Sequence, residues 1–216
     1  MIMNRIEDLI YRYPVLKPCK DDIQKAFDAL RDCFKSGHKL LVAGNGGSSA
    51  DAEHIVGELM KGFKKKRNID KSLASSLVSI DKEVGTLLSE NLEQSLPAIA
   101  LHNHQSLNTA VMNDIQNGGD YLFAQQVLGY GNKDDAFLGI STSGNAQNVY
   151  NAAITAKAKG LIVIALTGKS GGKLKGVSDI SIVVPEQETF IIQELHLPIY
   201  HTLCLMLEDF LFKDVV

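Results

Sequence analysis

Short apolar runs alternate along this chain with longer stretches in which apolar positions recur every three or four residues. The runs at 39–43, 96–101, 136–140, 161–166 and 180–184 are nearly continuously apolar, the signature of strands buried on both faces. Helical spacing falls between them. Residues 2–13 place Ile6, Leu9 and Ile10 on one face, and Pro14 and Pro18 then break the pattern. Residues 21–36 carry a stripe of Ile23, Ala26, Phe27, Leu30, Cys33 and Phe34, closed by Gly37. Further helices are predicted at 50–59, 120–129 and 148–159, a short helix or turn at 107–112, and a long helix from 189 or 190 to 212. Strands alternating with helices predict an α/β fold with a parallel sheet covered on both faces. The helices within residues 1–36 read as a packing or oligomer surface. Residues 64–95 depart from the pattern: they are polar, Ser-rich and weakly helical only around 82–92, and they read as an insertion or lid.

In parallel sheets the site lies beyond the C-terminal strand ends. The first strand runs into Gly44-Asn45-Gly46-Gly47-Ser48-Ser49 and then a helix. Such a turn presents backbone N–H groups and hydroxyls to an anion, usually a phosphate. Its plainer reading is a sharp βα turn with Ser48 or Ser49 as N-cap. The third strand ends in Ser141-Thr142-Ser143-Gly144-Asn145, a second hydroxyl-rich turn before a helix. Two such turns on one sheet favour a phosphosugar pocket over capping twice. Asn113 and Asp114 fall downstream of the second strand. His54 and Glu58, four apart, share a helix face and suit a metal, or a base beside its orienting partner; a surface His–Glu pair is the alternative. Gly57 between them weakens the helix. The last helix carries Gln193, Glu194, His196 and His201. Gln193 and His201 are eight residues apart, about 12 Å along a helix, so joint ligation of one ion strains the geometry unless one ligand comes from another subunit.

Composition narrows the class. The 216 residues suit one domain of 1–216, and 45% hydrophobic content with a mean hydropathy of zero supports a substantial core. A net charge of −3 gives no general reason to expect nucleic-acid binding. The run Lys61-Gly62-Phe63-Lys64-Lys65-Lys66-Arg67-Asn68 reads as a solvated loop, or else as an attraction for a phosphorylated ligand. Cys19, Cys33 and Cys204 are odd in number and far apart, which fits a reducing cytoplasm. No signal-peptide pattern and no apolar run of membrane-spanning length is read.

The order and spacing of Gly44 to His54, Glu58, Gly139 to Asn145, Leu166-Thr167-Gly168 and Ile192-Gln193-Glu194-Leu195-His196 to His201 resemble the phosphoheptose isomerases of the SIS (sugar isomerase) class. The resemblance covers the chain apart from about 64–95. It implies an αβα sandwich around a five-stranded parallel sheet, a homotetramer with sites at subunit contacts, and interconversion of sedoheptulose 7-phosphate with glycero-manno-heptose 7-phosphate. Carried over, Asn45, Gly46, Gly47 and Ser48 hold substrate, Asn113 and Asp114 contact sugar hydroxyls, and Ser141, Thr142 and Ser143 bind phosphate. His54, Glu58, Gln193 and His201 hold zinc, with Gln193 and Glu58 also touching substrate. Glu58 and His201 do the proton work. Ala146 stands where the family usually has Ser, and Ile191 where an Arg is common. With the 64–95 segment, His102 and His104, these departures bear on which phosphosugar is used. A phosphosugar-binding or replication-adaptor protein of the same fold, and an isomerase of another phosphosugar, are the alternative readings.

Overall fold

The computed structural model describes residues 5–212; the start of the helix expected at 2–13 lies outside them. Strands β1 (Leu40–Ala43), β2 (Ala98–Ala100), β3 (Ala136–Ser141), β4 (Ile162–Thr167) and β5 (Ile180–Val183) form one parallel sheet in the order β2-β1-β3-β4-β5. The chain leaves β1 to one side for β2 and returns to its other side for β3. The sheet therefore has a topological switch point beside β1, where α/β proteins bind ligands.

Side-chain alternation along the strands builds two cores. Leu40, Val42, Leu138, Ile140, Ile164 and Leu166 face one way and pack under α1 (Arg5–Arg12), α2 (Lys20–Lys35), α3 (Gly47–Met60) and α10 (Thr189–Leu211). Leu41, Ala43, Phe137, Val163 and Ala165 face the other, against α7 (Leu122–Tyr130), α8 (Gln147–Ala158) and Leu174 of α9 (Gly172–Val177). This is the αβα sandwich expected. All six residues of the stripe on α2 are buried, so the N-terminal helices belong to the core layer. At the N-terminal strand ends, Asp135 is buried and accepts hydrogen bonds from the Lys39 and Asn132 backbone N–H groups, at 3.0 and 2.7 Å, and from Lys39 Nζ at 2.6 Å.

The 64–95 segment is more helical than its composition suggests. It contains α4 (Lys71–Ile80) and α5 (Lys82–Asn91), which pack on each other as an antiparallel hairpin with Gly85 against the Leu77 carbonyl. The serines of α4 do not break it, because Ser76 and Ser79 hydroxyls donate back to the Ser72 and Ser76 carbonyls. Of the two helices only Gly85 is buried. Among the elements not anticipated are also α9 and a 3₁₀ turn at Pro14–Cys19.

Helix α10 is long and apolar enough, by composition, to cross a membrane, yet 56% of that window is buried within the fold. It crosses the α2 and α3 side of the sheet as a core helix, and α6 (Gln105–Asp114) packs against α7 and the 3₁₀ turn at Gly118–Asp120.

Candidate active site

The turn after β1 leaves the strand at Gly44, and Gly46 adopts φ 54°, a left-handed conformation that glycine takes without strain. Helix α3 then begins at Gly47 with Gly46 as its N-cap, so Ser48 and Ser49 stand in its first turn, two and three residues past the cap rather than at the cap position expected for them. A Cβ on Gly47 would lie 2.6 Å from Gln193 Nε2, so glycine here lets α10 close against the turn. The turn after β3 is held similarly: Gly144 has φ 67°, and a Cβ there would strike the Gly171 carbonyl at 1.9 Å.

Between these turns lies a cavity of about 340 Å³, walled by Asn45 to Ser48, by Ile140 to Ser143 with Ala146, and by Thr189 and Gln193. Its size and its hydroxyl and backbone lining suit a small phosphorylated ligand. Eight of the eleven substrate-contact residues carried over by the resemblance, Asn45, Gly46, Gly47, Ser48, Ser141, Thr142, Ser143 and Gln193, line it, and Glu58 does not. At its mouth Asn45 and Asn148 exchange amide hydrogen bonds of 2.8 and 2.9 Å. Asn113 and Asp114 are exposed at the end of α6, Asn113 donating to Asp114 at 2.8 Å, and are not among the cavity's lining residues.

His54 and Glu58 on α3 meet His201 on α10, with one ligand atom from each lying within 4.8 Å of the others. His54 Nε2 is 3.1 Å from Glu58 Oε1 and 3.3 Å from His201 Nε2. The edge of a tetrahedron around zinc with bonds of about 2.0–2.1 Å is roughly 3.4 Å, so both separations match neighbouring ligands of one ion. The hydrogen bonding behind His54 agrees. The Tyr200 hydroxyl donates to Asp51 at 3.2 Å and therefore accepts from His54 Nδ1 at 3.0 Å. Its only proton is thereby used, and the His54 Nε2 lone pair is left facing Glu58 and His201. Two imidazole nitrogens and a carboxylate converging in this way call for a cation or a shared proton between them. Burial, then the neighbouring His54, holds the His201 imidazole below its ordinary pKa. Burial raises the Asp51 carboxyl, whose second oxygen has no partner, against the opposing pull of Tyr200 and His54.

Gln193 lies on the cavity side, two turns of α10 from His201, in keeping with the separation in the sequence. His196, the third polar group of that helix, is fully buried and bonds the Thr167 carbonyl at 3.3 Å. His102 pairs with Glu53 at 2.9 Å, and His104 lines a separate opening at the β2 edge. Sequence reasoning passed over Asp51, Tyr200 and Asn148. Asp51 lies one turn before His54 on α3, and that spacing was the available signal; Tyr200 reads as one more apolar residue of α10.

The largest departure is in the basic run. Arg67 is 2% exposed and pairs with Glu208 on α10, so this residue belongs to the interior, while Lys64 and Lys66 remain outside.

A parallel five-stranded αβα sandwich with a phosphate-sized cradle at its switch point defines an SIS-type sugar-phosphate protein, and the SIS domain family matches residues 14–95 and 84–168. Within that class the relatives agree. A phosphoheptose isomerase of Citrifermentans bemidjiense is 40% identical over 190 residues, covering 88% of this chain and 84% of that one. One of Leptospira biflexa is 37% identical over 213 residues, covering 98% and 96%. The solved phosphoheptose isomerase of Francisella tularensis superposes with a TM-score of 0.75 at 32% identity, over 94% of each chain. The chain belongs to the phosphoheptose isomerase family.

Proposed function

We propose that this isomerase interconverts sedoheptulose 7-phosphate and D-glycero-D-manno-heptose 7-phosphate through an enediolate, with Glu58 as the base. The observation that carries the reading is the convergence of His54, Glu58 and His201 on α3 and α10, the two helices whose Ser48 and Gln193 wall the hydroxyl-lined cavity. The phosphate rests among Ser141, Thr142, Ser143 and the first turn of α3, where N–H groups and the helix dipole favour negative charge. From Ser48 to His54 is six residues, about 9 Å along α3, which sets the phosphate end apart from the reacting carbons. In the ketose-to-aldose direction Glu58 takes a proton from carbon 1, exchanges it with solvent and delivers a proton to carbon 2. His201, held neutral by burial, carries the proton from oxygen 1 to oxygen 2.

In this reading His54, Glu58 and His201 would hold zinc in the substrate-free protein, with Glu58 and His201 loosening from it to act on protons when substrate binds. Gln193 is the fourth donor implied by the family, and its place against Gly47 supports a substrate contact as well. Zinc bound there supplies a Lewis acid for the sugar carbonyl. Tyr200 and Asp51 keep His54 in the tautomer that leaves Nε2 free. Asn113 and Asp114, outside the cavity wall, contact sugar hydroxyls across a subunit boundary in a homotetramer. The exposed Leu73, Ile80, Val84 and Leu87 of the hairpin support a larger assembly, and the hairpin itself is assigned as the lid. The three free, buried cysteines fit a cytoplasmic setting.

The test is Glu58→Gln, assayed by NMR on the heptulose phosphate with metal content measured in parallel. Turnover should fall by about a thousandfold or more with the fold intact. Unimpaired turnover at full metal occupancy would remove Glu58 as the base.

A further inference from the structure

Arg67 and Glu208 are charged, 0% and 1% exposed at their side chains, and play no part in the chemistry above. Glu208 Oε1 receives Arg67 Nε at 3.0 Å and lies 2.9 Å from an Arg67 terminal nitrogen. The same carboxylate accepts the backbone N–H groups of Phe63, Lys64 and Lys65 at 2.8, 2.8 and 3.2 Å. The other face of the pair reaches α3. Arg67 Nη1 donates to the Leu59 carbonyl at 2.8 Å and Nη2 to the Glu58 carbonyl at 3.2 Å. These are carbonyls of the last turn of α3, which a cation at the helix C-terminus also favours electrostatically. The guanidinium stacks over Phe212 at 4.5 Å.

A buried ion pair costs desolvation and persists where its hydrogen bonds are filled. Apolar side chains would anchor a loop with less penalty, so the contacts made by this pair matter more than its burial. It joins the residue that bears the base, through its own carbonyl, to α10. On α10, Glu208 is seven residues, about two turns, from His201 and so shares its face. We propose that Arg67 and Glu208 are positioning residues of the isomerase: they lock the end of α3 to α10 and so set where Glu58 stands against His54 and His201. The proposal rests on the reading of that cluster as the catalytic centre.

The test compares Arg67→Lys with Lys39→Met. The first keeps the charge but loses the forked contacts. The second breaks the half-buried Lys39–Asp135 pair at the opposite end of the sheet. Each folded protein is assayed for kcat and KM on the heptulose phosphate, and for zinc affinity by chelator competition. Arg67→Lys should lose about tenfold or more in kcat with KM within about twofold, and about tenfold in zinc affinity. Lys39→Met should stay within about twofold of wild type in all three. Wild-type kcat and zinc affinity in Arg67→Lys, or equal losses in Lys39→Met, would overturn the proposal. If Arg67→Lys does not fold, Glu208→Gln, which retains an acceptor for the loop N–H groups, is judged by the same criteria; failure of both to fold marks the pair as structural and also overturns it. An inert wild type counts against the reaction, and zinc affinity then still decides positioning.

Discussion

Replacing His196 by Leu should flatten the acid side of the stability profile. Its ring is fully buried on α10, with Nε2 on the Thr167 carbonyl and Nδ1 without a partner. Burial lowers its pKa from 6.5 to about 4, with the Thr167 carbonyl opposing. The unfolded chain therefore binds a proton here that the folded chain refuses, and stability falls as pH drops from about 6.5 to about 4. Two and a half pKa units correspond to about 3 kcal/mol in full, of which about 2 kcal/mol is lost by about pH 5. Asp135, Asp179 and Asp209 have lowered pKa values and act below that range. His201 is also lowered, so the comparison of variant with wild type is what isolates His196. Urea unfolding at about pH 7.5 and about pH 5 should show wild type losing about 2 kcal/mol more than His196→Leu. At the higher pH the variant should be less stable by about 1 kcal/mol for the lost hydrogen bond. Equal pH dependence in the two proteins would refute the argument.

Gly47→Ala places a Cβ about 0.8 Å inside ordinary contact with Gln193 Nε2. The amide must swing away, so kcat/KM should fall about tenfold to a hundredfold while the unfolding free energy changes by no more than about 1 kcal/mol. Unchanged kcat/KM would detach Gln193 from the site. Ala146→Ser adds a hydroxyl to the wall of the phosphate cavity and should lower KM about three- to tenfold with kcat unchanged; a raised KM would place the phosphate elsewhere.

Most of the fold could be read from the chain because its cause is local. Apolar runs and three- and four-residue spacing located every strand and the stripe of α2. The α4 helix escaped because its serines satisfy their hydroxyls on the helix's own backbone, which composition does not reveal. Both turns and the His54–Glu58 step were visible as motifs. Tyr200 behind His54 and Arg67 under Glu208 were not, since their partners lie 146 and 141 residues away. Arg67 was further masked by its neighbours Lys64 and Lys66, which are exposed.

The account turns on two hydroxyl-bearing turns and one His–Glu–His cluster acting on a single sugar phosphate. Zinc-loaded protein, incubated with sedoheptulose 7-phosphate in deuterated water and followed by NMR, tests this directly. The expected result is D-glycero-D-manno-heptose 7-phosphate with solvent deuterium at carbon 2, formed by wild type and not by Glu58→Gln. No aldose from wild type, or the same deuterated aldose from both proteins, would contradict it.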